Sequence, residues 1–177
     1  MTLKQILEMI EGYPMDISPW VEKYPDDRRK FILKTNYYWG LAAYIDLFKI
    51  KHALELGTCT GASAVVMNKA GAKVDTWDLK DDWIGELPEG ISRHLASNPI
   101  DVRSLNLAPY DMVFVDIDHS GAEEQKWHEK LTAEFHGIVF YDDVYLSEAM
   151  LAFWNGIEQE KVACGWHAHA GFGLVRY

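Results

Sequence analysis

The stretch ALELGTCTGASAVVMNKAG, residues 53–71, decides how the chain is read. With His52 it opens as a short apolar strand, HALEL, that closes on an acid and a leucine before the chain turns. The turn carries Gly57 and Gly61, and a small-residue helical pattern follows to Ala70, with Gly71 just past its end, where helices commonly stop. Strand, tight turn and helix in that order are one unit of an open α/β sheet. In such sheets ligands sit beyond the carboxyl ends of the strands, near the point where strand order reverses. Gly57 can take backbone angles that a side chain forbids, and it lets a ligand approach the main chain. Gly61 lets the helix start close against the strand, and the helix N-terminus offers free N–H groups to a carboxylate or phosphate.

Outward from this unit the alternation continues. AKVDTWDL (72–79) is a second strand, YDMVFVDID (110–118) a third and GIVFYDD (137–143) a fourth; the last two are apolar enough to be buried on both faces. Helical patterns fill residues 120–135 and 147–157, and the tail KVACGWHAHAGFGLVRY reads as two strands around a glycine-containing turn. Residues 79–109 hold turn signals, one weak helix and a short strand near 100–103. Before the first strand, Leu3, Ile6, Leu7 and Ile10 repeat at helical spacing until Gly12 and Pro14 end the pattern. A three-proline loop follows, and Asp26 and Asp27 open one long helix to about Phe48. Strands alternating with helices predict a Rossmann-like, doubly wound α/β sheet, mostly parallel, with a C-terminal antiparallel hairpin. The 177 residues suit a single domain, its N-terminal helices (1–50) packing on the sheet or roofing a pocket.

Asp78 ends the second strand, 21 residues after Gly57, where an acid can take both hydroxyls of a ribose. A dinucleotide site calls for G-x-G-x-x-G, but Cys59 stands where the middle glycine would admit a pyrophosphate. The Gly-Lys-Ser/Thr of a phosphate-binding loop is missing as well. A ribose-bearing ligand without a pyrophosphate fits better, and S-adenosylmethionine is such a ligand.

LELGTCTGASAVVM resembles the first motif of class I S-adenosylmethionine-dependent methyltransferases, and the likeness runs from about Asn36 to the C-terminus. It is closest to the small metal-dependent O-methyltransferases of the catechol and caffeoyl-CoA type and to related antibiotic-tailoring enzymes. The resemblance implies that Glu55, Gly57 and, less directly, Thr58 and Gly61 contact the methionine part of the cofactor. It implies that Asp78 binds ribose. Residues facing adenine would fall between Asp82 and Asn106, where the chain is short and divergent.

Two strands end in carboxylates, FVDIDHS with Asp116 and Asp118 and FYDDVY with Asp142 and Asp143. The interval of 26 residues from Asp116 to Asp142 holds one crossover helix and the return strand, so the two ends should lie side by side. Carboxylates gathered there repel one another unless some are protonated or a cation holds them. An all-oxygen set suits magnesium or calcium. Aspartate also favours such turns without any metal. The resemblance implies Asp116, Asp142 and Asp143 as ligands of Mg2+ or another divalent cation, with Asp143 standing where the family most often has asparagine. It also implies that His119 takes the proton of an acceptor hydroxyl; a helix-start role is the alternative. His167 and His169 alternate on a strand, where they could face one way, and read as plain hairpin residues, since a zinc site needs at least three protein ligands.

The formal net charge of −10, without a basic block, argues against nucleic-acid or anionic-membrane partners. Two cysteines, Cys59 and Cys164, form no zinc spacing or disulfide framework and favour a reducing, cytoplasmic setting. MTLKQILEMIEGYP reads as an amphipathic helix rather than a signal peptide or a span. The expected partner is a small hydroxylated acceptor, and the edge hairpin with the aromatic N-terminal helices leaves a face for a homodimer. The expected activity is metal-assisted O-methylation. The alternatives are a non-catalytic S-adenosylmethionine-binding module and an NAD-dependent oxidoreductase on the same fold.

Overall fold

Successive residues of a strand point to opposite faces, so a strand apolar at every position needs cover on both sides. The computed structural model, which describes residues 1–167 and 169–177, provides that cover. Its strands are β1 (His52–Leu56), β2 (Lys73–Asp78), β3 (Ile91–Leu95), β4 (Met112–Val115), β5 (Ile138–Asp142), β6 (Lys161–Cys164) and β7 (Phe172–Arg176). They form one sheet in the order β3-β2-β1-β4-β5-β7-β6. β7 runs antiparallel between β5 and β6, and the neighbouring pairs from β3 to β5 are parallel. The sheet is the mostly parallel, doubly wound one expected, with its antiparallel pair at the C-terminus.

The helices are α1 (Leu3–Glu11), α2 (Asp26–Lys34), α3 (Asn36–Phe48), α4 (Ala62–Lys69), α5 (Pro99–Arg103), α6 (Ala122–Glu134) and α7 (Glu148–Gly156). α1, α3 and α4 pack on one face of the sheet, over Ala53, Val74, Phe114 and Phe140. α5, α6 and α7 pack on the other, over Leu54, Val113, Val139 and Val175. Alternate residues of β1, β4 and β5 thus feed two separate cores. No helix among the described residues is long and apolar enough to cross a membrane.

Three local expectations change. The long helix from Asp26 to Phe48 is two helices, because Thr35 is extended (φ −97°, ψ 101°); its hydroxyl donates to the Phe31 carbonyl at 2.9 Å. Residues 100–103 are helical, not a strand. Pro99 fits the first helical position, and the Asp101 N–H is taken by the carbonyl and the side chain of Asn98 at 3.3 and 3.2 Å. The strand of this region is β3, ISRHL, in which only Ile91 is buried. In the tail, His167 and His169 lie in the turn between β6 and β7 rather than on a strand, and Ala168 between them lies outside the described residues.

Candidate active site

Strand order reverses between β1 and β4, and the carboxyl ends of β1, β2, β4 and β5 open there into a cleft of about 530 Å³. That volume suits a drug-sized ligand. Arg28 and Phe31 of α2 and Tyr37 and Tyr38 of α3 wall one side. Trp77, Leu79, Pro99, Val102 and Trp127 make an apolar end. Pro99 and Val102 belong to the segment that the resemblance left blank for adenine.

Backbone geometry dictates the glycine turn. Gly57 has φ +96°, and a Cβ there would lie 1.6 Å from the carbonyl oxygen of Asp116. Gly61 has φ +81°, and a Cβ would meet the Trp83 ring at 2.3 Å. Asp78 accepts from the Cys59 N–H at 2.8 Å, and from the Leu79 and Lys80 N–H groups at 2.6 and 3.0 Å. It therefore ties the turn to the end of β2 as well as lining the cleft.

Of the other residues placed at the cofactor, Gly57 lines the cleft, while Glu55, Thr58 and Gly61 lie behind its wall. Glu55 is fully buried and accepts from the Thr76 hydroxyl, which also meets Thr58 Oγ1 at 2.5 Å. Burial raises the Glu55 carboxyl to about 7, against the pull of the Ser63 and Thr76 hydroxyls. Its Oε1 makes no well-formed hydrogen bond.

At the ends of β4 and β5 the acids converge around two imidazoles. His119 Nε2 lies 3.2 Å from Asp116 Oδ1 and 3.0 Å from Asp143 Oδ2. His167 Nδ1 lies 3.0 Å from Asp142 Oδ1 and 2.8 Å from Asp143 Oδ1. Burial, then the charges of Asp142 and Asp143, push the Asp116 carboxyl well above the usual carboxylate range. Burial also raises Asp142, partly offset by its bond to His167. The same two aspartates hold the His167 imidazolium up to about 10. Asp142 is 4% exposed, and Asp118 lines the cleft beside His119.

Two residues of this site carry no motif. Glu124 of α6 is buried and accepts from the His119 N–H at 2.9 Å and the Gly121 N–H at 2.8 Å. It fixes His119 in its left-handed backbone conformation (φ 59°). An acid three residues past a glycine at a helix start is the signal for it. His167 arrives through the antiparallel register that pairs Asp142 with Phe172, which brings the residues before β7 alongside the end of β5.

No family model and no curated protein matches the sequence. Solved structures do match the fold. The SAH-bound methyltransferase PaMTH1 of Podospora anserina is 15% identical with a TM-score of 0.61, over 99% of this chain and 87% of its own. The O-methyltransferase TomG of Streptomyces achromogenes, involved in tomaymycin synthesis and solved in complex with SAM, is 16% identical with a TM-score of 0.61, over 92% of this chain and 99% of its own. A putative caffeoyl-CoA O-methyltransferase of Staphylococcus aureus is 15% identical with a TM-score of 0.60, over 98% of each chain. The chain has the Rossmann-like fold of these methyltransferases.

Proposed function

We propose that the protein is an S-adenosylmethionine-dependent methyltransferase that O-methylates a small hydroxylated acceptor with the help of a divalent cation. One observation carries this reading: a cofactor-type half-site and a proton-handling half-site share one cleft. The first is the glycine turn with Asp78, and the second is His119 between Asp116 and Asp143. The same fold in structures solved with SAM or SAH supports it. A cytoplasmic setting belongs to the proposal, on the strength of the two free thiols, Cys59 and Cys164.

Gly57 leaves the main chain open to the methionine part, with Cys59 of the same turn lining the cleft beside it. Asp78 stands at the ribose, and Trp77, Pro99 and Val102 cover the base. Tyr37, Tyr38 and Phe31 hold the acceptor against the opposite wall. His119 takes the acceptor's hydroxyl proton, its ring held at the Nε2 edge by Asp116 and Asp143. The acceptor oxygen then forms its bond to the methyl carbon as the sulfur–methyl bond breaks. Holding the two reactants in register supplies much of the acceleration.

The residues present fit a hard divalent cation. Carboxylates crowd at the ends of β4 and β5, and Asp143 Oδ1 is buried without a well-formed hydrogen bond. Asp142 and Asp143 would hold the ion, with Asp116 nearby. When bound, the ion supplies a Lewis acid that lowers the pKa of the acceptor hydroxyl.

Transfer of labelled methyl from S-adenosylmethionine to a panel of catechol-type diols tests the reading. Wild type should methylate at least one diol, chelation should stop it and a divalent cation should restore it. His119→Ala should lower kcat by about 10²–10⁴ with cofactor affinity nearly unchanged. Absence of transfer to every diol, or a His119→Ala variant of full activity, contradicts the reading.

A further inference from the structure

His167 reads as a hairpin residue in the sequence, but the fold delivers its ring into the acidic end of the cleft. Nδ1 stands 3.0 Å from Asp142 Oδ1 and 2.8 Å from Asp143 Oδ1. Donor atoms of Asp142, Asp143 and His167 all lie within 4.8 Å of one another. Adjacent ligands of a six-coordinate ion with bonds of about 2.1 Å are about 3 Å apart, so these spacings match those around a single ion. The ring is held in place from behind by Tyr37 and Phe31, at centroid distances of 5.6 and 6.4 Å.

The hydrogen bonding leaves the cluster incomplete. Nδ1 can donate one proton, and its well-formed hydrogen bond goes to Asp142. Asp143 Oδ1 remains buried without one, despite its closeness to the same nitrogen. A cation that takes the place of the Nδ1 proton would satisfy all three donors, the proton leaving to solvent. Asp116, by contrast, is linked to Asp143 through His119.

We propose that His167 is a nitrogen ligand that joins Asp142 and Asp143 in a mixed nitrogen–oxygen site selecting a first-row transition-metal dication over magnesium. The inference rests on the cation-assisted reading above and changes its ligand set and its metal. Imidazole favours the transition ions, whereas magnesium prefers oxygen and keeps its water. A transition ion therefore gains from His167 what magnesium cannot.

The test uses the metals alone, as CoCl2, MnCl2 and MgCl2, titrated calorimetrically into the purified full chain. Wild type should bind Co2+ at least about a hundredfold more tightly than Mg2+. His167→Ala and the larger His167→Gln, each checked for fold by circular dichroism, should lose most of that preference while still binding Mg2+. A readout on wild type needs no variant: pulsed electron paramagnetic resonance of bound Mn2+ should show coupling to a histidine nitrogen. That coupling should change on ¹⁵N-histidine labelling, persist in His119→Gln and vanish in His167→Gln. Metal binding without nitrogen coupling, or a preference unchanged in both His167 variants, overturns the inference and leaves the cation-assisted reading standing. No binding of any of the three metals overturns both. The cofactor reading is tested separately, by titration with S-adenosylmethionine.

Discussion

A Cβ on Gly57 would sit 1.6 Å from the carbonyl oxygen of Asp116 at φ +96°, so Gly57→Ala must force apart the ends of β1 and β4. Strain and clash together should cost at least about 3 kcal/mol in urea unfolding; a loss below about 1 kcal/mol would show that the strand ends yield easily. The sequence made this glycine legible through its place between strand and helix. It did not show that a neighbouring carbonyl, as much as a ligand, demands it. Glu55 was legible as the motif acid, but not its burial behind the cleft against Thr76. That burial has a pH signature. The folded carboxyl is raised to about 7 from 4.5, so the folded state binds more protons than the unfolded chain between those values. Stability from this group is fully present below pH about 4.5 and is lost as pH rises to about 7, by on the order of 3 kcal/mol. Glu55→Gln should remove that slope from the difference between variant and wild-type unfolding energies; parallel pH profiles would contradict it.

At the scale of elements, the loop from β4 to α6 sets where His119 stands in the cleft. Glu124 holds two backbone N–H groups of that loop from a buried position. Glu124→Ala should therefore cost about 1–3 kcal/mol of stability. It should also lower kcat by about tenfold with little change in S-adenosylmethionine affinity, as steady-state kinetics and calorimetry would read. Equal losses in kcat and cofactor affinity would point to a general loosening instead. β4 and β5 were plain in the sequence because burial on both faces makes them largely apolar, and β1 because it runs into the glycine turn. β3 was not, because it lies at the sheet edge with Ser92 and Leu95 exposed and Arg93 and His94 half-buried. The Pro99 helix start was misread as extended chain, although proline at a first helical position is itself a signal. The break at Thr35 is a single extended residue between two helical patterns, which periodicity cannot register.

Over the whole molecule, the sheet topology does the assembling. Parallel strands place four carboxyl ends together at the reversal between β1 and β4, and motif residues far apart in sequence meet there. That much follows from alternating strands and helices. His167 escapes such a reading because β7 turns back between β5 and β6 and brings its preceding turn to Asp142, 25 residues earlier in the chain. The parts of the wall supplied by Arg28 and Phe31 likewise become visible only once α2 folds over the cleft. Everything proposed for this cleft depends on its first occupant. Calorimetric titration of the wild-type protein with S-adenosylmethionine, with NAD as the competitor, tests that most directly. The account predicts one site per chain, a dissociation constant of about micromolar order and no displacement by NAD. Absence of binding, or binding of NAD in its place, would contradict it.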